Sequence, residues 1–403
     1  MRSGWLAKRL GDLSELITKG TTPTSIGHSF VPEGINFVKV ESISANGQFL
    51  SSKLARITAD CHSALRRSQL KSGDILFSIA GALGRTALVT DDVIPANTNQ
   101  ALAIIRLKKS DEVLPEFVLQ ALSTGIVLEQ IEKFKGGVAQ QNLSLAQVQD
   151  FQIVIPPIPE QRRIIRILDE AFEGLARATA NAEKNLKNAR ALFESHLDSV
   201  FVPRSESWVT HPLADCLQLI TYGFTNPMPT TAIGPYMITA KNVVNGKIDY
   251  ASARRTSRDA FENLLTAKSR PRIGDVLLTK DGTLGRLAVV DKDDICINQS
   301  VALLRPNGRM EPSFMRYLLM SPAYQQRMVD DADGATIKHI YITRVDKMDV
   351  GFPPSHSEQR RIVSILDVLS TETQRLESIY QQKLAALGEL KKSLLHQAFS
   401  GNL

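Results

Sequence analysis

The chain has 403 residues, 43% hydrophobic and 22% charged, with a formal net charge of +6 from 48 Lys and Arg against 42 Asp and Glu. That length leaves room for two or three cores, and the composition is that of a globular protein, which excludes disordered and collagenous classes. No apolar run approaches the ~20 residues of a membrane span, and Met1-Arg2-Ser3-Gly4-Trp5 lacks a signal-peptide core, so the expected location is cytoplasmic.

Cys61, Cys216 and Cys296 are scattered, with no C-x-x-C pair. They form neither a disulfide framework nor a zinc site and are expected to be small buried side chains. The modest basic excess permits nucleic-acid binding without requiring it.

In chain order, the first unit is a series of short Val, Ile and Leu strands around Gly-rich turns. It opens with Trp5 and Leu16-Ile17-Thr18-Lys19-Gly20-Thr21-Thr22, then Val40-Glu41-Ser42-Ile43 before Asn46-Gly47, a tight-turn pair. Gly73-Asp74-Ile75-Leu76-Phe77, Leu83-Gly84-Arg85 and Asn99-Gln100 through Arg106 follow. Helices are expected near 115–133, starting at Pro115, and a closing strand ends at Ile155-Pro156-Pro157-Ile158-Pro159.

Immediately after it stands Glu160-Gln161-Arg162-Arg163-Ile164, opening a long helical pattern. From Leu168, positions 172, 175, 179, 182, 186, 189, 193, 196 and 200 are apolar except Thr179 and His196. Such a 4-3 stripe is a coiled-coil seam.

After the polar linker 202–207 every landmark recurs about 200 residues on. Leu219 to Thr225, Ala240-Lys241-Asn242-Val243 before Asn245-Gly246, and Gly274-Asp275-Val276-Leu277-Leu278 return in order. So do Leu284-Gly285-Arg286, Asn298-Gln299 through Arg305, Pro312-Ser313-Phe314, Phe352-Pro353-Pro354-Ser355 and Glu358-Gln359-Arg360-Arg361-Ile362. The chain is a tandem duplication. Expected domains are 1–158, a helix over 159–203, 204–356, and a helix over 357–403. The two seams are of equal length and are expected to pack on each other, Leu168, Phe172, Leu175, Leu186 and Phe193 against Leu366, Leu369, Leu376, Leu387 and Leu394; the other reading is two separate amphipathic helices, each lying on its own domain.

Catalytic signatures are missing: no phosphate loop, no H-E-x-x-H, no G-x-S-x-G, and no histidine spacing suited to a metal. A duplicated asymmetric unit suits a target with two similar halves, and duplex DNA offers one, since successive major grooves on one face lie about 10 base pairs apart. A helix of about 40 residues is ~60 Å long and has the dimensions of a ruler.

Positions shared by both copies (Gly73/Gly274, Asp74/Asp275, Asn99/Asn298, Gln100/Gln299, Arg106/Arg305) read as scaffold; polar positions that differ in equivalent loops read as candidate base contacts. The candidates are Thr22, Lys39, Glu41, Ser42, Ser78, Arg85, Lys135, Gln140, Gln141 and Asn142 in the first unit. In the second they are Thr225, Lys241, Asn242, Lys280, Asp281, Arg286, Lys338 and His339. Arg66, Arg67, Arg254, Arg255 and Arg258 are candidate phosphate contacts or a solvated face.

The ordered set of Gly-Asp-Ile/Val-Leu turns, Pro-Pro strand ends, Glu-Gln-x-x-Ile helix starts and the closing Ala398-Phe399-Ser400-Gly401-Asn402-Leu403 resembles the DNA-specificity subunits of type I restriction-modification systems, over the whole chain. The matching place in the first helix, Ser199-Val200-Phe201-Val202, departs from that closing motif.

The resemblance implies an α+β protein. Two tandem-duplicated mixed α/β target-recognition domains would be joined and separated by two long antiparallel helices in a coiled coil, pseudo-two-fold overall. It implies a non-catalytic subunit that binds double-stranded DNA at a bipartite asymmetric target and has no cofactor or metal of its own. The implied partners are two adenine methyltransferase subunits, which use S-adenosylmethionine, and restriction/translocase subunits, which use ATP and Mg. Two other classes stay open on the residues alone: a self-contained DNA-modifying or DNA-cutting enzyme, and a coiled-coil tether that binds no nucleic acid.

Overall fold

The computed structural model describes residues 4–135, 142–202, 207–330 and 339–403. The apolar run after each Gly-Asp turn is a strand buried on both faces, Ile75–Ser78 and Val276–Thr279. Each sits inside a four-stranded antiparallel sheet. The first is ordered Ser14–Lys19, Leu102–Leu107, Ile75–Ser78, Thr86–Leu88; the second Leu217–Tyr222, Val301–Pro306, Val276–Thr279, Leu287–Val289.

Alternation along the strand sends residues to opposite faces. Ile75 and Phe77 join Phe117 and Phe151 in a core beneath the helices, while Leu76, Leu102 and Ile104 join Val38 and Val89 on the other side. In the second domain Val276 and Leu278 face Phe314 and Tyr317, and Leu277 and Leu303 face Ile238 and Ile295. The opposite face carries a three-stranded mixed sheet: Ala55–Ile57, Ile35–Val38 and Ala96–Thr98 in one copy, Arg254–Arg255, Thr231–Ile238 and Ile295–Ile297 in the other.

Two glycines fix where the first strand of each four-stranded sheet ends. A Cβ at Gly20 would lie 1.8 Å from the Thr98 carbonyl oxygen, and one at Gly223 1.8 Å from that of Ile297, so no other residue fits. The expected helical stretches are each two helices, Pro115–Leu122 with Gly125–Lys135 and Pro312–Met320 with Pro322–Asp330. All three cysteines are free and buried. Burial pushes the thiols up, Cys216 to about 11 and Cys296 to about 12.

Each globular part closes on itself: Leu6–Arg9 pairs antiparallel with Gln152–Ile155, and Val209–Pro212 with Asp349–Phe352. The chain then leaves through the prolines into the long helices, Ile158–Phe201 and His356–Ser400. The Glu-Gln-x-x-Ile motif sets the exit angle. Gln161 is fully buried: its Oε1 accepts from the Leu114 N–H at 2.9 Å, and its Nε2 donates to Glu112 O at 2.9 Å and Pro156 O at 2.8 Å. Gln359 repeats this with the Glu311 N–H at 2.7 Å, Arg309 O at 3.1 Å and Pro353 O at 2.9 Å. One amide thus ties the first helical turn to both the closing strand and the loop ahead of the domain's own helices, and Ile164 and Ile362 are buried one turn on.

The chain forms two compact units, residues 1–182 with 382–403, and residues 183–381. In the first unit, Ile164 and Leu168 at the start of one long helix share a core with Leu395, Ala398 and Phe399 at the end of the other. In the second, Leu197 and Phe201 share a core with Ile362 and Leu366. Start beside end in both units makes the helix segments antiparallel. The closing motif is a plug: Phe399 stacks on Phe117 at 4.9 Å, and Arg163 Nη2 donates to the Leu403 carbonyl at 2.8 Å. Phe201 does the equivalent work against Phe314 at 5.4 Å, despite the degraded sequence around it.

Of the expected seam, Leu168 and Leu366 are fully buried, Phe172 and Leu394 pack on the first core, Phe193 packs on the second, and Leu175, Leu186, Leu369 and Leu387 are half-buried. Leu376 is a correction. It is 36% exposed, and buried Thr373 takes the seam there, beside an Arg190–Glu377 ion pair at 3.1 Å. Buried Ala182 and Ala189 narrow the first helix on this side, leaving less apolar surface than a run of leucines would offer. No helix among the described residues is long and apolar enough to cross a membrane.

Candidate nucleic-acid interface

In the second domain the loops that follow Ile238, Thr279 and Ile297 surround a cleft of about 930 Å³. Phe224, Met228 and Met237 supply its apolar lining; Lys241, Arg254, Asp281 and Thr283 supply its polar one. Lys241, Arg254 and Thr283 are exposed.

Asp281 is held from two sides, with Lys280 Nζ donating to Oδ2 at 2.6 Å and His339 Nδ1 donating to Oδ1 at 2.5 Å. Lys280 also donates to Gln299 O at 3.3 Å and lies 5.4 Å over the Tyr222 ring. Burial on its own would raise the Asp281 carboxyl, but the hydrogen bonds and charges of Lys280 and His339 outweigh it and hold the carboxyl below its ordinary value. His339, 58 residues on, therefore joins Lys280 and Asp281 in one cluster.

Other candidates turn inward. Asn242 is 4% exposed; its Oδ1 accepts from the Thr239 N–H at 2.9 Å and its Nδ2 donates to Ser252 at 3.1 Å. Ser42, its equivalent, is fully buried, accepting from the Lys39 N–H at 3.1 Å and donating to Lys53 O at 2.8 Å. Ser78 is also fully buried, donating to Ala82 O and accepting from the Arg85 N–H at 2.7 Å. These three are corrections: they brace turns, Ser42 and Ser78 face no solvent, and Asn242 shows only an edge to the cleft.

Arg85 Nη1 donates to Ile43 O at 2.9 Å, and Arg286 Nη1 to Val243 O at 3.3 Å, each clipping the Gly-rich hairpin to the Asn-Gly turn. Among the phosphate candidates, Arg255 is scaffold, stacked 4.0 Å from the Tyr236 ring and donating to Gly234 O at 3.1 Å. Arg258 pairs with Asp294 at 2.6 Å. Arg66, Arg67 and Arg254 stay exposed.

In the first domain, Glu41 and Asn142 are exposed, Lys39 sits 4.3 Å over the Phe30 ring, and Thr22 donates to Gln100. Thr225 is exposed in the second domain. Lys135 ends the helix Gly125–Lys135. Gln140, Gln141 and Lys338 lie outside the described residues.

Sequence comparison of the repeats missed Thr283, Ser252 and the apolar lining of the cleft. It also missed that Arg254 stands where the first domain has Ala55, an equivalence visible only from the strand register, Met237↔Arg254 against Phe37↔Ala55.

Two copies of one scaffold, conserved beneath and divergent in the loops, define a duplicated recognition protein. Among the described residues no group of three or more His, Cys, Asp or Glu could hold a metal ion. The family described as the type I restriction modification DNA specificity domain matches residues 2–187 and 231–385, and the chain belongs to that family.

Similar proteins include the type I restriction enzyme EcoBI specificity subunit of Escherichia coli, 27% identical over 357 residues, covering 82% of this chain and 73% of that protein. A putative type I restriction enzyme specificity subunit of Haemophilus influenzae is 24% identical over 251 residues, covering 60% of this chain and 61% of that one. Among solved structures, a chain from a study of complex assembly and conformational transition of the type I R-M system superposes with a TM-score of 0.80 at 22% identity, covering 100% of this chain and 99% of its own. The HsdS subunit from Thermoanaerobacter tengcongensis gives 0.55 at 22% identity, covering 100% and 98%. The protein is thus a DNA sequence specificity subunit, non-catalytic itself, with catalysis in other subunits of such a system.

Proposed function

We propose that the subunit reads a bipartite, asymmetric DNA target, one half with each globular domain. The observation that carries this is the divergence of loop chemistry over one scaffold: Lys241, Arg254, Lys280 and Asp281 line or flank the second cleft where the first domain places Glu41, Ala55, Ile79 and Ala80. Lysine, arginine and carboxylate side chains are base-edge and phosphate partners in the major groove, so unlike sets select unlike half-sites. In the first domain Lys39, Glu41 and Asn142 remain candidate contacts, with Thr22, Lys135, Gln140 and Gln141; in the second, Thr225, Lys241, Lys280, Asp281 and His339 remain, with Lys338.

Two adenine methyltransferase subunits and the restriction subunits are the proposed protein partners, in the cytoplasm. S-adenosylmethionine, ATP and Mg belong to those partners. Ile365 and Val368, 48% and 66% exposed and one turn apart on the second long helix, support a protein partner there, because adjoining exposed apolar side chains are unfavourable in water.

The test exchanges residues 208–352 for the matching domain of a relative and sequences the methylated motif in cells. One half of the motif changes and the other stays; a change in both halves overturns the modular reading.

A further inference from the structure

The Asp281 cluster does more than decorate the cleft. A carboxylate facing DNA repels phosphates, so an acid set among Lys241 and Arg254 weakens generic binding. What it gains is an acceptor. In the major groove the donors presented by bases are the exocyclic amino groups, N4 of cytosine and N6 of adenine. An ionised carboxylate has about four lone-pair directions. Lys280 takes one on Oδ2 and His339 one on Oδ1. The side chain is 23% exposed and lines the cleft, which leaves acceptor capacity open to it. Gripped at both oxygens, the carboxylate has little rotational freedom, which is what a directional reader requires. The first domain has Ile79 and Ala80 at the corresponding positions, so no carboxylate stands there.

We propose, resting on the two-half reading above, that Asp281 is a specificity-determining residue of the second domain that accepts a hydrogen bond from the exocyclic amino group of one cytosine or adenine in its half-site. Lys280 and His339 are positioning residues that fix the carboxylate.

The experiment uses the full chain assembled with its partner subunits. Each cytosine and adenine of the half-site read by the second domain is replaced, one at a time, by N4-methylcytosine or N6-methyladenine. These keep Watson–Crick pairing and put a methyl where the free amino hydrogen points. Competition binding is measured for the wild type, for D281A, which has no side-chain acceptor, and for K280M. In the wild type one substitution weakens binding roughly 5- to 150-fold. The D281A complex shows no further loss at that base, K280M shows a reduced one at the same base, and the other half-site is unaffected. Whether the sensitive base is cytosine or adenine names the amino group.

If every substitution costs the wild type and D281A equally, Asp281 is scaffold and the proposal is overturned. If D281A fails to assemble, the wild-type scan still decides, because tolerance of every blocked amino group in that half overturns it. A domain exchange that altered both halves of the motif would instead overturn the two-half reading, and this proposal with it.

Discussion

In the first domain Arg106 grips Asp74 through Nε and Nη2, both at 2.7 Å, and in the second Arg305 grips Asp275 at 2.9 and 2.7 Å. The carboxylates also cap the turns ahead of them, accepting from the Lys71 and Arg272 N–H groups at 2.8 Å. Yet the residues after the adjoining strands, Ile79-Ala80 and Lys280-Asp281, share nothing in charge or size. Duplication has kept what the fold needs in order to close and left the rim of the groove free to change. A buried pair cannot drift one partner at a time without stranding a charge, whereas an exposed loop residue can.

The domains also differ in how they meet their own helices. Tyr317 OH donates to Asp367 at 2.5 Å, and Arg316 stacks 3.9 Å from the Tyr317 ring with its Nη2 3.4 Å from the same carboxylate. The first domain has Leu119 and Gln120 in their place. Asp169, the counterpart of Asp367, lies exposed, yet partial desolvation, followed by nearby Glu116, pushes its carboxyl above its ordinary value.

The scaffold half of the comparison breaks most visibly at the ion pairs. Asp74→Ala and Asp275→Ala should each cost their own unit about 3 kcal/mol, since each leaves a half-buried guanidinium and a turn N–H without their buried carboxylate. Urea unfolding followed by hydrogen exchange should place the loss in one unit per variant; an effect below about 1 kcal/mol in either would mean the two pairs are not equivalent.

Next come Gln161→Leu and Gln359→Leu. Each leaves a backbone N–H and two carbonyls without their partner, at a cost of at least about 1–3 kcal/mol. The check is exchange protection of the first helical turn, which should fall in the altered unit alone.

Tyr317→Phe sharpens the difference rather than the likeness. Losing a bond to a carboxylate costs about 1.5 kcal/mol in the second unit, read by thermal melting, and Gln120→Ala in the first should cost less.

Arg254→Ala should weaken all duplexes alike and lower the slope of log affinity against log salt by about 1, while Ala55→Arg should raise it.

The smallest effect is expected at Asp169. Its folded carboxyl sits above the unfolded value, so its contribution to stability is full at low pH and is lost as pH rises through the carboxylate range. Asp169→Asn should remove that loss and slightly stabilise the first unit near neutrality; no change in the pH profile would place its carboxyl back among ordinary exposed ones.

Much of this was legible before any coordinates. The Glu-Gln-x-x-Ile motif marked both helix starts because proline must end the strand before it, and the Gly-Asp turns marked both central strands. What the glutamines do was hidden: their partners, Glu112 and Leu114 or Arg309 and Glu311, lie nearly fifty residues upstream. The candidate contacts split for a similar reason. Ser42 and Asn242 differ in chemistry and Ser78 keeps a hydroxyl in Thr279, yet all brace turns, because a short polar side chain in a tight loop finds backbone before it finds solvent.

What the sequence determined alone is therefore the duplication, the strand and helix grammar of each copy, and the two apolar seams. Those follow from periodicity and local turn chemistry, which act over a few residues, whereas the antiparallel run of the seams is carried by the family resemblance and by the cores that the helix ends share. Tertiary structure decided which polar residues are free. Only the packing of loops around the cleft brings His339 onto Lys280 and Asp281, only the three-stranded sheet turns Arg255 onto Tyr236 while leaving Arg254 open, and only the packing of the long helix exposes Leu376 while burying Thr373. Burial is a property of what surrounds a side chain, and those surroundings come from distant parts of the chain.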